Sequence, residues 1–319
     1  MTEHAGEVEQ GLLWRQEHLA PMPIPTGQPA SDLMNIIWRK NEVCLDIGSF
    51  AMAAGWLTLH CLSVMFMAIF TWVALTTSDR IGLAIVTLPM CILMGTLWYL
   101  FIKQWRKPLT PPIRFNRQRR EVCITEPDGN YWFVPWERVY AIAPSVTNLG
   151  TYGATKHGSL VLWFPLKGQE HETYGPNKKG WVLMVNPGGG ISSMAQWECI
   201  RSFMEEGPDA VPEPSVTRNR GMSLWQSFTH DFMQAVKSRG WLLAFLWEGL
   251  GSVVFNGFLL EHLLRKKLAH IPDLTAPEVV DWSKPLPPAQ WAKRSPELEK
   301  AIAEREAELA AVRPNMPAK

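Results

Sequence analysis

The sequence predicts an α+β membrane protein: a two-helix transmembrane hairpin, a small antiparallel β domain with a C-terminal helix, and a helical region after it. Three observations carry this. Two long runs without a charged side chain, Ile47–Ser78 and Ile81–Ile102, follow one another with only Asp79 and Arg80 between them. From about Pro111 the pattern changes to short apolar runs broken by turn residues. A third apolar block, Trp241–Leu260, carries a single charge, Glu248. Composition agrees. The 319 residues suffice for two units of roughly 150 each. At 47% hydrophobic and 19% charged residues, the chain is no disordered tail. Its 16 Trp suit surfaces where one side of a ring is apolar and the other wet. With 31 Lys and Arg against 30 Asp and Glu, the charge balance argues against a nucleic-acid partner, whose phosphates demand a basic excess.

Each uncharged run exceeds the roughly 20 apolar residues that cross a bilayer as a helix. The core of the first helix is placed at Met52–Leu75. Mostly polar residues precede it, which does not fit a cleaved signal peptide. The turn Thr76–Arg80 is short, so the two helices are antiparallel neighbours. Lys103, Arg106, Lys107, Arg114, Arg117, Arg119 and Arg120 follow the second helix with no acid before Glu121. Arg39 and Lys40 precede the first helix, whereas the turn offers only Arg80. Basic flanks stay cytoplasmic, so both termini are expected inside a bacterial inner membrane. The same seven side chains are read as a basic membrane-surface patch, worth about 1 kcal/mol per well-placed cation on anionic lipid. Trp72, Trp98, Tyr99 and Trp105 sit where an aromatic belt is expected, with Trp56 toward the start of the first helix. His60 is the intramembrane polar candidate. The plainer reading is a neutral imidazole bonded to a neighbouring carbonyl. Ala53, Ala54 and Gly55 permit close helix contact.

In the β region, Asp128-Gly129-Asn130 marks a hairpin between Val122–Thr125 and Tyr131–Val134. Further strands are expected at Ser159–Phe164 and Trp181–Val185, with a loop over Pro144–Gly158. An amphipathic helix follows, with Trp197, Ile200 and Met204 on one face and Gly207-Pro208 as its stop. The glycines of Asn186–Gly190 lack the P-loop ending and read as a strand-to-helix turn. The order of these segments, with RFNRQRR, a hairpin and then VPWERV, resembles the bacterial pleckstrin-homology-like domains over Pro111–Gly207. The resemblance implies a binding module rather than an enzyme. The loop after Ala143 is then either an embellishment or the partner-binding site.

Pro208–Pro214 is expected as an exposed linker and Ser223–Leu268 as long helical sequence. Glu248, Ser252 and Asn256 at i, i+4 and i+8 form one polar stripe on the third apolar block. That block could span the membrane, lie in its plane, or pack as a soluble core helix or a helix pair broken near Gly249–Gly251. Basic residues flank both ends, Lys237 and Arg239 before and Arg265, Lys266 and Lys267 after, which favours an in-plane or domain-packed helix. Ile271–Gln290 is a Pro-rich connector of extended character. Ser295-Pro296-Glu297 starts a last helix running through Val312, with Leu298, Ile302 and Leu309 on one side. The N-terminal stretch shows few periodic apolar residues and is expected to wrap or dangle. The segments are therefore 1–46, a hairpin at 47–103, a β domain at 104–210, a helical region at 211–270 and a connector with helix at 271–319.

No catalytic constellation stands out. The five cysteines, Cys44, Cys61, Cys91, Cys123 and Cys199, contain no C-x-x-C, so neither a disulfide nor a zinc site is expected. His157, His171, His230, His262 and His270 are scattered without metal-ligand spacing, and no cofactor is expected. The tight hairpin, RFNRQRREV followed by VPWERV, and AQWECIRSFMEEGP before a proline linker together resemble an uncharacterised family of proteobacterial inner-membrane proteins encoded beside type VI secretion genes. That resemblance spans Pro23–Pro272. It implies a non-enzymatic immunity or effector-binding protein whose partners are membrane lipids and a secreted effector or secretion component. Homo-oligomerisation stays open. The alternatives are a membrane-surface scaffold or lipid-binding module, and an oligomeric channel or transport subunit.

Overall fold

Three stretches far apart in the chain form one β-rich unit: Met1–Ser49, Thr110–Arg218 and Pro272–Lys319. Phe50–Leu109 and Asn219–Ile271 form a second, helical unit. The structure, a computed structural model, describes residues 4–50, 52–151, 153–170, 179–214, 222–254 and 256–312. The consecutive segments read from the sequence thus interleave. Segments 1–46, 104–210 and 271–319 fold largely together, because strands separated by a hundred residues pair with each other.

The β unit is built from ten described strands in two antiparallel sheets. One holds β1 (Val8–Gln10), β2 (Trp14–Ala20), β8 (Tyr140–Gly150), β9 (Gly153–Pro165) and β10 (Gly180–Gly188), in that spatial order. The other holds β3 (Ile37–Lys40), β4 (Cys44–Ile47), β5 (Ile113–Asn116), β6 (Glu121–Thr125) and β7 (Tyr131–Pro135). Both sheets turn apolar side chains into one core, among them Leu45, Ile47, Phe115, Val134, Leu160 and Phe164. Helix α3 (Gly190–Glu205) joins that core through Trp197, Ile200, Phe203 and Met204, and Trp197 stacks on Trp136 at 5.5 Å. The face assigned to Trp197, Ile200 and Met204 from spacing is buried, and so is the rest of the helix from Ala195 to Met204.

Four expectations are corrected. The N-terminal stretch does not dangle, because it supplies β1 to β4. Strands β3 and β4 have four residues each, too short for an alternation to show, and β2 is fixed by pairing Glu17 with Ala143. Pro144–Gly158 is not a loop. It is the paired ends of β8 and β9, turning at Gly150 and Gly153. Residues 147–156 run beyond the paired parts of β2 and β10 as a two-stranded arm, so their polar composition reflects solvent on both faces. The 208–214 linker is exposed at Asp209, Pro212 and Glu213 but is held down beside them. Pro208 and Val211 are buried, and Lys40 Nζ donates to both their carbonyls at 3.0 and 2.8 Å and pairs with Glu213. The Pro-rich connector forms α8 (Pro277–Trp282), with proline at the start where a helix tolerates it. Leu274, Val279 and Trp282 pack on Cys123 and Phe133 of β6 and β7. The last helix, α9 (Pro296–Val312), buries Leu298 and Ile302 on the face expected.

The helical unit begins with α1 (Ala53–Thr76) and α2 (Arg80–Trp105). Both are long and apolar enough to cross a membrane. Asp79 caps α2 by accepting from the Gly82 N–H. Gly55 lets Phe101 approach: a Cβ there would lie 3.1 Å from that ring. Trp56, Trp98, Phe101 and Trp105 pack edge-on or tilted against one another between the two helices. Three tryptophans read as belt or near-belt residues are thus interhelical, because their rings find more apolar contact there. Trp72 and Tyr99 remain exposed.

The long helical sequence expected over Ser223–Leu268 is interrupted, at Gly240 and Asn256 rather than near Gly249–Gly251. It comprises α4 (Leu224–Arg239), α5 (Trp241–Ala244), a π-helical stretch at Phe245–Gly251, α6 (Ser252–Val254) and α7 (Gly257–Leu268). Gly240 at φ 84 and Asn256 at φ 52 adopt the left-handed backbone that interrupts helices. Ser223 and Gln226 form a capping box at the start of α4. Ser223→Ala should cost about 1 kcal/mol, seen as faster hydrogen exchange of the Gln226 amide; unchanged exchange contradicts it.

Candidate functional site

Strands β4 and β5 are adjacent and antiparallel, with Ile47 opposite Ile113 and Asp46 opposite Arg114. The chain leaves the sheet at Ile47, runs through α1 and α2, and returns to the strand next door. Arg114 clamps this opening: its Nε and Nη2 donate to the two Asp46 carboxylate oxygens at 2.6 and 2.7 Å. The second helical stretch is handled similarly. Lys40 holds the carbonyls of Pro208 and Val211 on its way out, and neighbouring Arg39 holds Asp273 and the Pro272 carbonyl on its return. Two adjacent cations on β3 therefore fasten both ends of the 214–272 excursion.

This geometry divides the seven basic residues. Lys103, Arg106 and Lys107 are exposed at the end of α2. Arg114, Arg117, Arg119 and Arg120 are not a membrane-facing patch. Arg114 binds Asp46 and Ser283. Arg119 donates to the Trp282 carbonyl at 2.9 Å, and Arg117 lies over the Trp291 ring at 5.4 Å. Arg120 is buried against Glu205 and Glu137. The cause is tertiary: Arg117 and its ring at Trp291 are far apart in the chain, as are Arg119 and the Trp282 carbonyl, and neither leaves a local mark. Sequence reading missed the resulting hub. Glu205 accepts from Arg120, Arg294 and Trp136 Nε1, tying α3 to the segment before α9. Burial raises the Glu205 carboxyl, but Arg120, Trp136 and Arg294 outweigh it and leave it below its ordinary value.

In the helical unit, His60 lies 3.0 Å from the Val254 carbonyl through Nε2. A carbonyl only accepts, so Nε2 carries the proton. The contact expected for the plainer reading is present. The polar stripe is only partly realised. Glu248 and Ser252 line a cleft of about 240 Å³ with Ser227, Asp231 and Glu261, whereas Asn256 ends the run at the helix break. The π-helical winding shifts the phase that an ideal helix would have kept. Glu248 faces Arg239 at 3.5 Å, and Arg265 pairs with Asp231 and Glu261. Lys267 Nζ donates to the Trp105 and Lys107 carbonyls, at the negative end of α2.

Among the described residues no group of three or more His, Cys, Asp or Glu is placed to hold a metal ion; His171 lies outside those residues. All five thiols are free. Burial pushes Cys44 and Cys123 up to about 12, and Cys199 is raised for the same reason. Thiolate reagents at neutral pH should therefore spare these three in folded protein and react only on unfolding. Mass spectrometry after maleimide treatment checks this, and rapid labelling of any of the three contradicts it.

The β unit also presents accessible backbone. Strand β10 is last in its sheet, with Val182 and Met184 exposed while Leu183 and Val185 face the core. Near it the β8–β9 arm exposes Leu149, and Val146 is exposed at the arm's base, opposite Trp14 of β2. Compared with protein-family models, curated proteins and solved structures, the chain matches none.

Proposed function

We propose that this protein is a membrane-anchored, non-enzymatic binding protein of a bacterial inner membrane, with both termini cytoplasmic. The observation that carries the reading is the register of β4 and β5. Because Ile47 and Ile113 are partners, the apolar excursion between them starts and ends at the same end of two adjacent strands. Two helices of 24 and 26 residues then cross and return, each about 36–39 Å long at 1.5 Å per residue. The β unit is left on a single side, and the basic flank of α2 favours the cytoplasmic one. Two antiparallel sheets sharing one core with a following helix support the pleckstrin-homology-like reading of that unit.

The binding face we assign is the β10 edge with the β8–β9 arm. An edge strand with alternating exposed apolar residues can accept an extended partner strand, main chain to main chain. An isolated two-stranded arm is only marginally stable in water and gains order from contact. The partner we assign is a type VI secretion effector, on the strength of the sequence resemblance. Bulk on the cytoplasmic side favours holding the effector before export over meeting it in the periplasm. If a toxic effector gene adjoins this one, its co-expression with this chain should spare the cell, and Met184→Pro on β10 should abolish protection. Killing that persists at normal membrane levels of the wild-type chain overturns the effector reading.

A membrane-surface scaffold is the second reading, favoured by exposed Lys103, Arg106, Lys107 and Lys266 in the helical unit. It requires binding to vesicles that rises with anionic lipid; binding that ignores lipid charge removes it.

A further inference from the structure

The third apolar block is exposed in an unusual way. Trp241, Leu242, Phe245, Leu246, Trp247 and Leu250 are each between 44 and 74% exposed, and they surround the helix rather than forming one stripe. A water-facing surface of this kind is rare on a soluble protein. The one charge in the stretch, Glu248, is turned to Arg239 and the polar cleft with Ser252.

Three constraints fix how such a segment can meet a bilayer. The first is parity. The excursion departs past Pro208 and Val211 and returns at Pro272, and both ends are fastened by Lys40 and Arg39. It must therefore cross an even number of times. The second is length. Trp241–Val254 spans about 21 Å at helical rise, short of the roughly 30 Å hydrocarbon core. The third is depth. Val254 is bonded to His60, about 10 Å along α1 from Ala53. At the other end of α7, Lys267 holds the carbonyl of Trp105, the last residue of α2, and that of Lys107 just beyond it. The turn at Asn256 is thus tied to α1 about a third of the way into the apolar layer, and the end of α7 is level with the basic rim of α2.

We infer that residues 241–254 form a re-entrant membrane element. It enters the acyl-chain layer from the side holding the β unit, turns at Asn256 beside His60, and leaves along α7 without crossing. Its exposed apolar side chains contact lipid tails, continuous with the lipid-facing surface of α1 and α2. This rests on the membrane reading of that hairpin.

Site-directed spin labelling of the full chain in liposomes tests it. Cys61→Ala and Cys91→Ala leave only buried thiols, and single cysteines replace exposed Leu242, Leu246 or Leu250, with Leu93 in α2 as control. Lipid contact predicts frequent collisions with molecular oxygen and rare ones with a water-soluble nickel chelate at all four positions. Nickel access at 242, 246 and 250 with a dry Leu93 overturns the inference and leaves the hairpin standing. Poor access by both reagents means a second copy or another protein covers the segment, and also overturns it. Nickel access at Leu93 removes the membrane reading itself.

Discussion

Glu205→Ala is expected to destabilise the β unit by about 3–5 kcal/mol, the usual cost of removing one partner from a buried ion pair. The carboxylate is almost wholly enclosed and neutralises Arg120, itself buried, while also holding Arg294 and the Trp136 indole. Its loss leaves the buried Arg120 guanidinium with Glu137 as its remaining acidic partner. It also releases the chain ahead of α9, so trypsin should cleave after Arg294 far faster. The pH dependence has a definite sign. The folded carboxyl lies below its ordinary value of 4.5, so its contribution is complete above that pH. The contribution is lost as pH falls through the lowered folded value. Denaturant unfolding of wild type should therefore weaken on acidification more than that of Glu205→Ala. Parallel pH profiles, or unchanged Arg294 cleavage, contradict this account of the hub.

Asp46→Ala should cost a similar amount, about 3–5 kcal/mol, and do so where the apolar hairpin is inserted. Asp46 is buried, and Arg114 meets both its oxygens while also reaching Ser283. Such a fork fixes geometry as well as charge. A double-mutant cycle with Arg114→Met separates the two. Removing both partners should be less harmful than Asp46→Ala alone, because no unpaired charge is left buried. Additive losses contradict a coupled pair.

Much of the local structure was legible because it depends on neighbours in sequence. The charge-free runs became α1 and α2, Asp128-Gly129-Asn130 became the β6–β7 turn, and Ser295-Pro296 began α9. Periodicity found the face of α3 that joins the apolar core, but not that Gln196, Glu198 and Arg201 are buried too. What stayed hidden depends on distant partners. Glu17 meets Ala143 and Arg119 meets the Trp282 carbonyl, and no window around either residue shows it. Arginines on a short strand and the turn after it, Arg114, Arg117, Arg119 and Arg120, look solvated until their distant partners are in place. The stripe through Glu248, Ser252 and Asn256 assumed an ideal helix, and Gly240, the π-helical stretch and Asn256 replaced it with a bent element. Of the candidate site residues, His60 kept its expected carbonyl contact, while four of the seven basic residues became internal clamps.

The central claim is that both helical excursions begin and end on one face of a bilayer. Single cysteines at Ser78, Gly129, Met222 and Ala310, in the background lacking Cys61 and Cys91, test it with a membrane-impermeant maleimide on spheroplasts. Ser78 in the α1–α2 turn should react at once. Gly129, Met222 and Ala310 should react only after the membrane is opened. Met222 or Ala310 reacting from the face opposite Gly129, or Ser78 sharing a face with Gly129, would contradict the account.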